Sequence, residues 1–505
     1  MRVLLAGYNI DAEVIEALKS REETRDDVTP ETLSAAYARI SRDPRPVDEL
    51  RRAARAEVER ARKSNRTIIF KMGHHSVAEH AVFNFDVIGI SRLAVEALER
   101  FRLCSFTEKS QRYIALGDDF VIPAEVRNAG LEKPFSEMIG AQNALYHELF
   151  KRLRPYFLEK HPGEAADPAH LPVLEGWAKE DARYAVGLAA EGQLGMTLNG
   201  RNLELVIRRF AAHELEEVRE LGRRFCDLAA KVAPSIVLFT EACAFDSGTR
   251  IDFAAEVESR GLLQPAPGDI SPLRRVGDGV RLVEYPAEGD EVILASLIHS
   301  LSSMPFSEIR PRVRALGQEE KLGLFRRAFE RMEFFDFPLR EFEFADLTFE
   351  LIVSASCFAQ LKRHRMATLT VQRYDPSLGV TVPQSIRDIG AEDAFRDITA
   401  RTEETRGLLK RRLVPDAAAD YVLTNAHRRR VLFKVNVREL YHVSRLREDA
   451  TAQWDIRAVV ERMRHLAEGV LPLSCLLLGG KDAYPKIYER IFGKRPAVEP
   501  PRLFK

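Results

Sequence analysis

The stretch Arg100–Tyr113, R-F-R-L-C-S-F-T-E-K-S-Q-R-Y, has a shortened echo at Arg363–Tyr374, R-H-R-M-A-T-L-T-V-Q-R-Y. A second pair of blocks follows, T-L-N-G-R at Thr197–Arg201 and K-V-N-V-R at Lys434–Arg438. Repetition on this scale decides architecture before local periodicity does, because each copy has to form a structural unit. Around both copies the order of elements recurs. A strand (Ala81–Val87 with strict alternation, then Leu347–Val353) leads into a helix (Ser91–Leu103, then Ala355–Arg365), and the helix leads into the arginine-rich block.

The fold class that follows is α+β: two tandem units, each a small, mainly antiparallel sheet packed with long helices, forming a pseudo-dimer. The repeats are read at residues 1–245 and 289–505, joined by a connecting segment, 246–288, whose Q-P-A-P-G-D and V-G-D-G-V runs punctuate structure. Long helices are expected over Glu132–Arg154, Glu175–Ala190, Arg201–Ala233, Ala391–Arg412 and Val437–Gly469. The L-G-G-K at Leu478–Lys481 lacks the upstream glycine of a phosphate loop and reads as a helix end.

Bulk composition excludes several classes. Across 505 residues, Lys+Arg and Asp+Glu are balanced at 76 each, so no global field draws the chain to nucleic acid or a membrane. No apolar run approaches the length of a membrane span, and the N-terminal M-R-V-L-L-A-G-Y-N is too short for a signal peptide; a cytoplasmic location is expected. Five cysteines without C-x-x-C spacing argue against a zinc ribbon or a disulfide framework and fit a reducing compartment.

Two arginines at i and i+2, small hydroxyl residues and a further arginine make a plausible anion cup, since guanidinium forks bind phosphate bidentately. The plain alternative is a solvated basic helix end, and recurrence beside a second repeated block weighs against it. The run Gly73–His80, G-H-H-S-V-A-E-H, holds three histidines and a carboxylate, but its spacing matches neither H-E-x-x-H nor H-x-x-E-H. No metal site is expected there; a histidine capping a helix or facing a ligand is.

These blocks resemble the flavin-dependent thymidylate synthases, whose signature is R-H-R-x-x-S-x-N-E-x-S-x-R-Y with an upstream G-H-x-[ST]-x-x-E-H and a downstream L-R before A-Q-W-E-I. The first repeat supplies G-H-H-S-V-A-E-H, F-N-F and the long signature; the second supplies Q-L-K-R-H-R and N-V-R-E-L-Y-H-V-S-R-L-R-E-D-A-T-A-Q-W-D-I. The resemblance implies FAD as cofactor, dUMP as substrate, and NADPH and methylenetetrahydrofolate as co-substrates. It also implies a homodimer in which two tandem chains recreate a four-unit assembly.

The two copies depart from that pattern in complementary places. The first keeps Glu108, Ser110, Gln111, Arg112 and Arg183, but has Ala97, Phe101 and Phe210 where the family has Gln, His and a late Arg. The second keeps Gln360, Arg363, His364, Arg365 and Arg447, but lacks the Glu and second Ser of the signature and has Asp420 in place of the early Arg. The retained residues imply one composite nucleotide site between the repeats, with a ruined counterpart where Asp420 would face a phosphate at an electrostatic cost. By resemblance, Ser110, Arg112 and Arg183 hold the phosphate, with Glu108 and Gln111 beside them. Gln360 and Arg363 position the ring, and Arg447 stabilises charge developing on it as the catalytic group. The matching flavin positions are His74, Ser76, His364, Arg365, Asn436 and Arg438, with Asn199 and Arg201; for Ser76 and the asparagines a local cap is the alternative. Transfer to another pyrimidine nucleotide, or a non-catalytic flavin- or nucleotide-binding scaffold, are the rival functions.

Overall fold

The computed structural model describes residues 1–19, 28–40, 43–112, 114, 116–263 and 279–501. Its eight strands form two four-stranded antiparallel sheets of identical topology. The first contains β1 (Arg2–Tyr8), β2 (Val82–Ser91), β3 (Cys104–Glu108) and β4 (Glu191–Asn199), in the order β1-β2-β4-β3. The second contains β5 (Val280–Glu284), β6 (Asp346–Ser354), β7 (Thr368–Tyr374) and β8 (Arg428–Asn436), in the order β5-β6-β8-β7. The duplicated blocks therefore mark duplicated folds. β5, the first strand of the second sheet, lies within 246–288, as does the helix Thr249–Ser259.

Alternation explains the strands. In β2, Phe83, Phe85 and Val87 are buried while Asn84 and Asp86 are exposed. In β6, Leu347, Phe349, Leu351 and Val353 face the core. Gly89 sits at φ +71° where the pairing of β2 with β4 shifts register, a bulge that glycine enters without steric cost. At the end of β2 and of β6 a serine begins the next helix. The Ser91 Oγ accepts from the Ala94 amide, and the Ser354 Oγ from the Cys357 amide.

Contacts divide the chain into two compact units. One comprises Met1–Ala144, Val186–Asp269 and Ala400–Leu423; the other comprises Leu145–Ala185, Ile270–Thr399 and Thr424–Lys505. Each unit thus holds the sheet of one repeat and a segment belonging, by sequence, to the other. In the first, Phe85 packs on Phe225 with ring centroids 4.9 Å apart. In the second, Phe329 packs on Phe342 at 5.2 Å and on Tyr441 at 5.8 Å.

Four expected elements differ. The helix expected over Glu175–Ala190 runs over Leu171–Ala182 and gives way to the 3-10 turn Arg183–Ala185. Val437–Gly469 is two helices, Val437–Arg447 and Trp454–Val470. Asp449 accepts from the Thr451 amide and hydroxyl in the gap, a side-chain turn that competes with helical pairing. Arg201–Ala233 likewise divides into Gly200–Ala211 and Glu216–Val232, where His213 Nδ1 takes the Leu215 amide at 3.1 Å. Leu478–Lys481 is not a helix end but lies in the turns between Trp454–Val470 and the helix Tyr484–Phe492. Its glycines permit close approach: a Cβ on Gly479 would lie 2.4 Å from Ile487, and one on Gly480 would lie 2.8 Å from the Glu448 backbone.

Candidate functional site

In the second unit the site is organised by Gln453, 1% exposed, immediately before the helix Trp454–Val470. Its carboxamide oxygen accepts from Arg183 Nη2 at 2.6 Å and from Gln360 Nε2 at 2.8 Å, while its Nε2 donates to the Tyr184 hydroxyl at 3.2 Å. Arg183 comes from the first repeat; Gln360 and Gln453 come from the second. The first-repeat residues arrive on the helix Leu171–Ala182 and the 3-10 turn Arg183–Ala185, and the Arg183 carbonyl is tied down by Asn425 Nδ2 at 3.0 Å.

Two buried carboxyls support this cluster. Asp455 accepts from the Ser354 hydroxyl at 2.5 Å and the Tyr184 hydroxyl at 2.8 Å, and Asp181 accepts from the Ser385 hydroxyl at 2.5 Å and Trp454 Nε1 at 2.8 Å. Loss of water raises both from their ordinary values, Asp181 to about 7.

On the next turn of structure, Arg447 at the end of the helix Val437–Arg447 donates from Nε to His364 Nε2 at 2.9 Å. His364 is buried, and burial together with the Arg447 charge lowers its pKa well below the ordinary value, so the ring is neutral. Glu439 and His442, three apart on the same helix, bring their side-chain ligand atoms and those of His364 within 4.8 Å of one another. Arg363 and Arg365, flanking the buried histidine, are exposed.

The corresponding positions in the first unit carry different chemistry. Phe101 stands at the position of His364 and Phe210 at that of Arg447, and their rings pack edge-on with centroids 5.7 Å apart. An apolar pair has replaced a polar one. The support beneath survives: Glu217 accepts from the Ser91 amide and hydroxyl at 2.7 and 2.6 Å and from the Tyr421 hydroxyl at 2.6 Å. Ser91, Glu217 and Tyr421 thus repeat Ser354, Asp455 and Tyr184, and in each unit the tyrosine comes from the other repeat's sequence.

Glu108, Ser110, Gln111 and Arg112 lie in the first unit. Glu108 ends β3 and is ion-paired with buried Arg92 at 2.9 Å; the Ser110 hydroxyl accepts from the Arg112 amide at 3.1 Å; Gln111 is buried. Asp420 is also in this unit, paired at 2.7 Å with Arg406 of the helix Glu392–Arg411. Its charge is balanced locally by that guanidinium.

Asn199 and Asn436 are both helix N-caps, accepting from the Asn202 amide at 2.9 Å and the Glu439 amide at 2.8 Å. The arginine two residues on projects from each cap. Arg201 pairs with Glu79 at 2.6 Å, and Arg438 donates to the Pro338 carbonyl at 2.9 Å and approaches Glu343 at 3.4 Å. His74 and Ser76 are exposed around the 3-10 helix His75–His80. No histidine side chain caps it; His80 instead meets Tyr37 edge-on at 4.7 Å. Gly200 allows that segment to close on the helix behind it, since a Cβ there would lie 2.9 Å from the Ala78 carbonyl.

The sequence reading assigned no role to Gln453, Asp181, Tyr184, Asp455, Glu439 or His442. A-Q-W-D-I was legible as a marker, but nothing in it reveals that its glutamine joins residues 93 and 270 positions upstream.

Comparison with known proteins accords with this architecture. The family model described as "Thymidylate synthase complementing protein" matches residues 25–235 and again 281–473. A flavin-dependent thymidylate synthase of Geobacter sulfurreducens is 33% identical over 214 residues, covering 41% of this chain and 80% of that protein. Proteins named UPF0159 align over both repeats. That of Chlamydia muridarum is 23% identical across 80% of this chain and 78% of its own length. That of Thermoplasma acidophilum is 22% identical across 87% and 92% respectively. Two sheets of one topology and two matched regions lead to the same conclusion: the chain belongs to the thymidylate synthase complementing protein family and carries its fold twice in tandem.

Proposed function

We propose that the chain is a flavin-dependent methyltransferase of the thymidylate synthase type. It would convert dUMP to dTMP with FAD, methylenetetrahydrofolate and NADPH. The observation that carries this reading is the unequal fate of one residue pair: His364 with Arg447 in one unit, Phe101 with Phe210 in the other. A chain keeping two working copies has no reason to make one of them apolar, and a chain keeping none has no reason to retain the buried polar pair. The Arg183–Gln453–Gln360 cluster adds support, because it gathers into one unit residues from both repeats.

In this reading, Arg183, Ser110 and Arg112 serve the nucleotide phosphate, with Glu108 and Gln111 alongside. Gln360 and Arg363 orient the pyrimidine. Arg447 is the catalytic group: a permanently charged guanidinium, held by His364, that stabilises negative charge as C5 becomes nucleophilic. The residues fit an anionic flavin nucleotide. Arg201 and Arg438 project beside the amide-rich starts of their helices, a setting suited to a pyrophosphate. His74, Ser76, His364 and Arg365 complete the set, with Asn199 and Asn436 acting through the caps they form. Bound flavin would supply the hydride that completes the methyl group.

The deciding experiment incubates purified protein with FAD, dUMP, methylenetetrahydrofolate and NADPH and identifies the product. Formation of dTMP, abolished in Arg447→Ala and Arg112→Ala, is the expected result; it should be retained in Arg209→Ala, since Arg209, the neighbour of Phe210, is exposed and paired with Asp246 at 3.0 Å. Failure to bind flavin would overturn the reading. Flavin binding with methylation of a different pyrimidine nucleotide would move the assignment to that acceptor.

A further inference from the structure

Arginine is always protonated and can only donate, so the 2.9 Å contact from Arg447 Nε requires His364 Nε2 to present its lone pair. The buried ring is neutral, and its single proton therefore sits on Nδ1. That atom is enclosed and has no hydrogen-bond partner among the described residues; its neighbour is Glu439 Oε1, 3.7 Å away, on a side chain only 11% exposed. A shift of about 0.5–1 Å in the Glu439 carboxylate would bring the pair to hydrogen-bond length. Carboxylate, imidazole and guanidinium then form a line in which each group fixes the orientation of the next.

The same three-residue group could be read as a metal site, with His364, Glu439 and His442 as ligands. The tautomer argues otherwise. A cation on Nδ1 would displace the ring's only proton while Nε2 still accepted from Arg447, leaving an imidazolate between two positive charges. Ligation would first require breaking the Arg447 contact.

Internal comparison gives independent support. Where the first repeat has lost the arginine and the histidine, to Phe210 and Phe101, it has also lost the other two groups. Asn202 stands at the position of Glu439 and donates to its own cap residue Asn199 at 2.7 Å, and Leu205 stands at the position of His442. All four positions change together.

We infer that Glu439 is a positioning residue for Arg447, acting through the Nδ1–H tautomer of His364. This rests on the assignment of Arg447 to the pyrimidine, but the arrangement itself can be tested without turnover. In histidine-labelled full-length protein, long-range 15N–1H spectra distinguish the tautomers, and the His364 signal is identified by its loss in His364→Gln. In Arg447→Ala, where the arginine no longer dictates the tautomer, His364 is expected to remain Nδ1–H; in Arg447→Ala/Glu439→Leu it should revert to Nε2–H. Reversion already in Arg447→Ala would overturn the inference. So would one equivalent of Zn2+ retained after dialysis by the wild type and lost in His442→Ala.

In turnover assays with flavin and dUMP, Glu439→Leu should lower kcat roughly 10- to 100-fold, the usual consequence of removing a group that orients a reacting side chain. Glu439→Gln, whose carboxamide oxygen still accepts from Nδ1–H, should recover most of it. Wild-type kcat in Glu439→Leu would refute the positioning role. Absence of dTMP from the wild type would instead refute the proposed reaction, with the spectra still deciding the tautomer.

Discussion

Asp420 and Arg183 hold equivalent places in the two repeats, and their partners explain why one is acidic and the other basic. Asp420 is buried against Arg406, so Asp420→Ala strands a guanidinium that is only 14% exposed. A loss of about 1–3 kcal/mol in urea unfolding is expected, with turnover per folded molecule unchanged. Phe210 offers the converse case. Phe210→Arg would bury an unpaired charge, and adding Phe101→His supplies the partner present in the other repeat. The double variant should therefore be more stable than additivity predicts, with a coupling of about 0.5–3 kcal/mol by a double-mutant cycle. A loss in the double variant equal to the sum of the two single losses would show that the apolar site cannot accommodate the polar pair.

At the level of elements, the serine that caps the helix after β2 or β6 is clasped by a carboxylate and a tyrosine. Tyr184→Phe and Tyr421→Phe remove equivalent bonds to buried carboxyls, and each should cost about 1–3 kcal/mol of stability. Asp181, between Ser385 and Trp454, adds a pH dependence. Folding raises its pKa from 3.8 to about 7, so the native state holds this proton more tightly than the unfolded chain. The contribution is intact below about pH 4, is lost progressively as pH rises to about 7, and then levels off. Asp181→Asn removes the penalty, so its stability relative to wild type should climb across that window by about 2–4 kcal/mol and stay flat on either side. Strands and helices were legible because alternation and the repeated blocks are local; Phe83, Phe85 and Val87 could be assigned by inspection. Helix breaks at Asp449 and His213 were not, since a side-chain turn leaves hydrophobic periodicity unchanged. Asn199 and Asn436 show a further limit: sequence weighed ligand contact against capping, and the structure adds the cap bonds. Gln453 was invisible as a hub because its partners are assembled by tertiary folding alone.

At the scale of the molecule, each compact unit depends on residues encoded in the other repeat. Residues 1–263 expressed alone would lack Ala400–Leu423, and with it Tyr421, leaving the buried Glu217 without one of its donors. Poor soluble yield is expected from either half, with recovery when residues 1–263 and 279–505 are co-expressed; a monomeric, cooperatively melting 1–263 fragment would contradict this. The complementary losses, Phe101 and Phe210 in one copy and the shortened signature in the other, were readable from sequence because they break a pattern written twice. That they coexist with exchanged segments was not readable. The placement of Tyr184 and Tyr421 has a consequence for inheritance. A tandem gene ordinarily shrinks back to a single copy by recombination between its repeats. Here such a deletion would remove one copy's chemistry and the other's structural support in the same event. Mutual reliance between the repeats thus works against a return to a single copy.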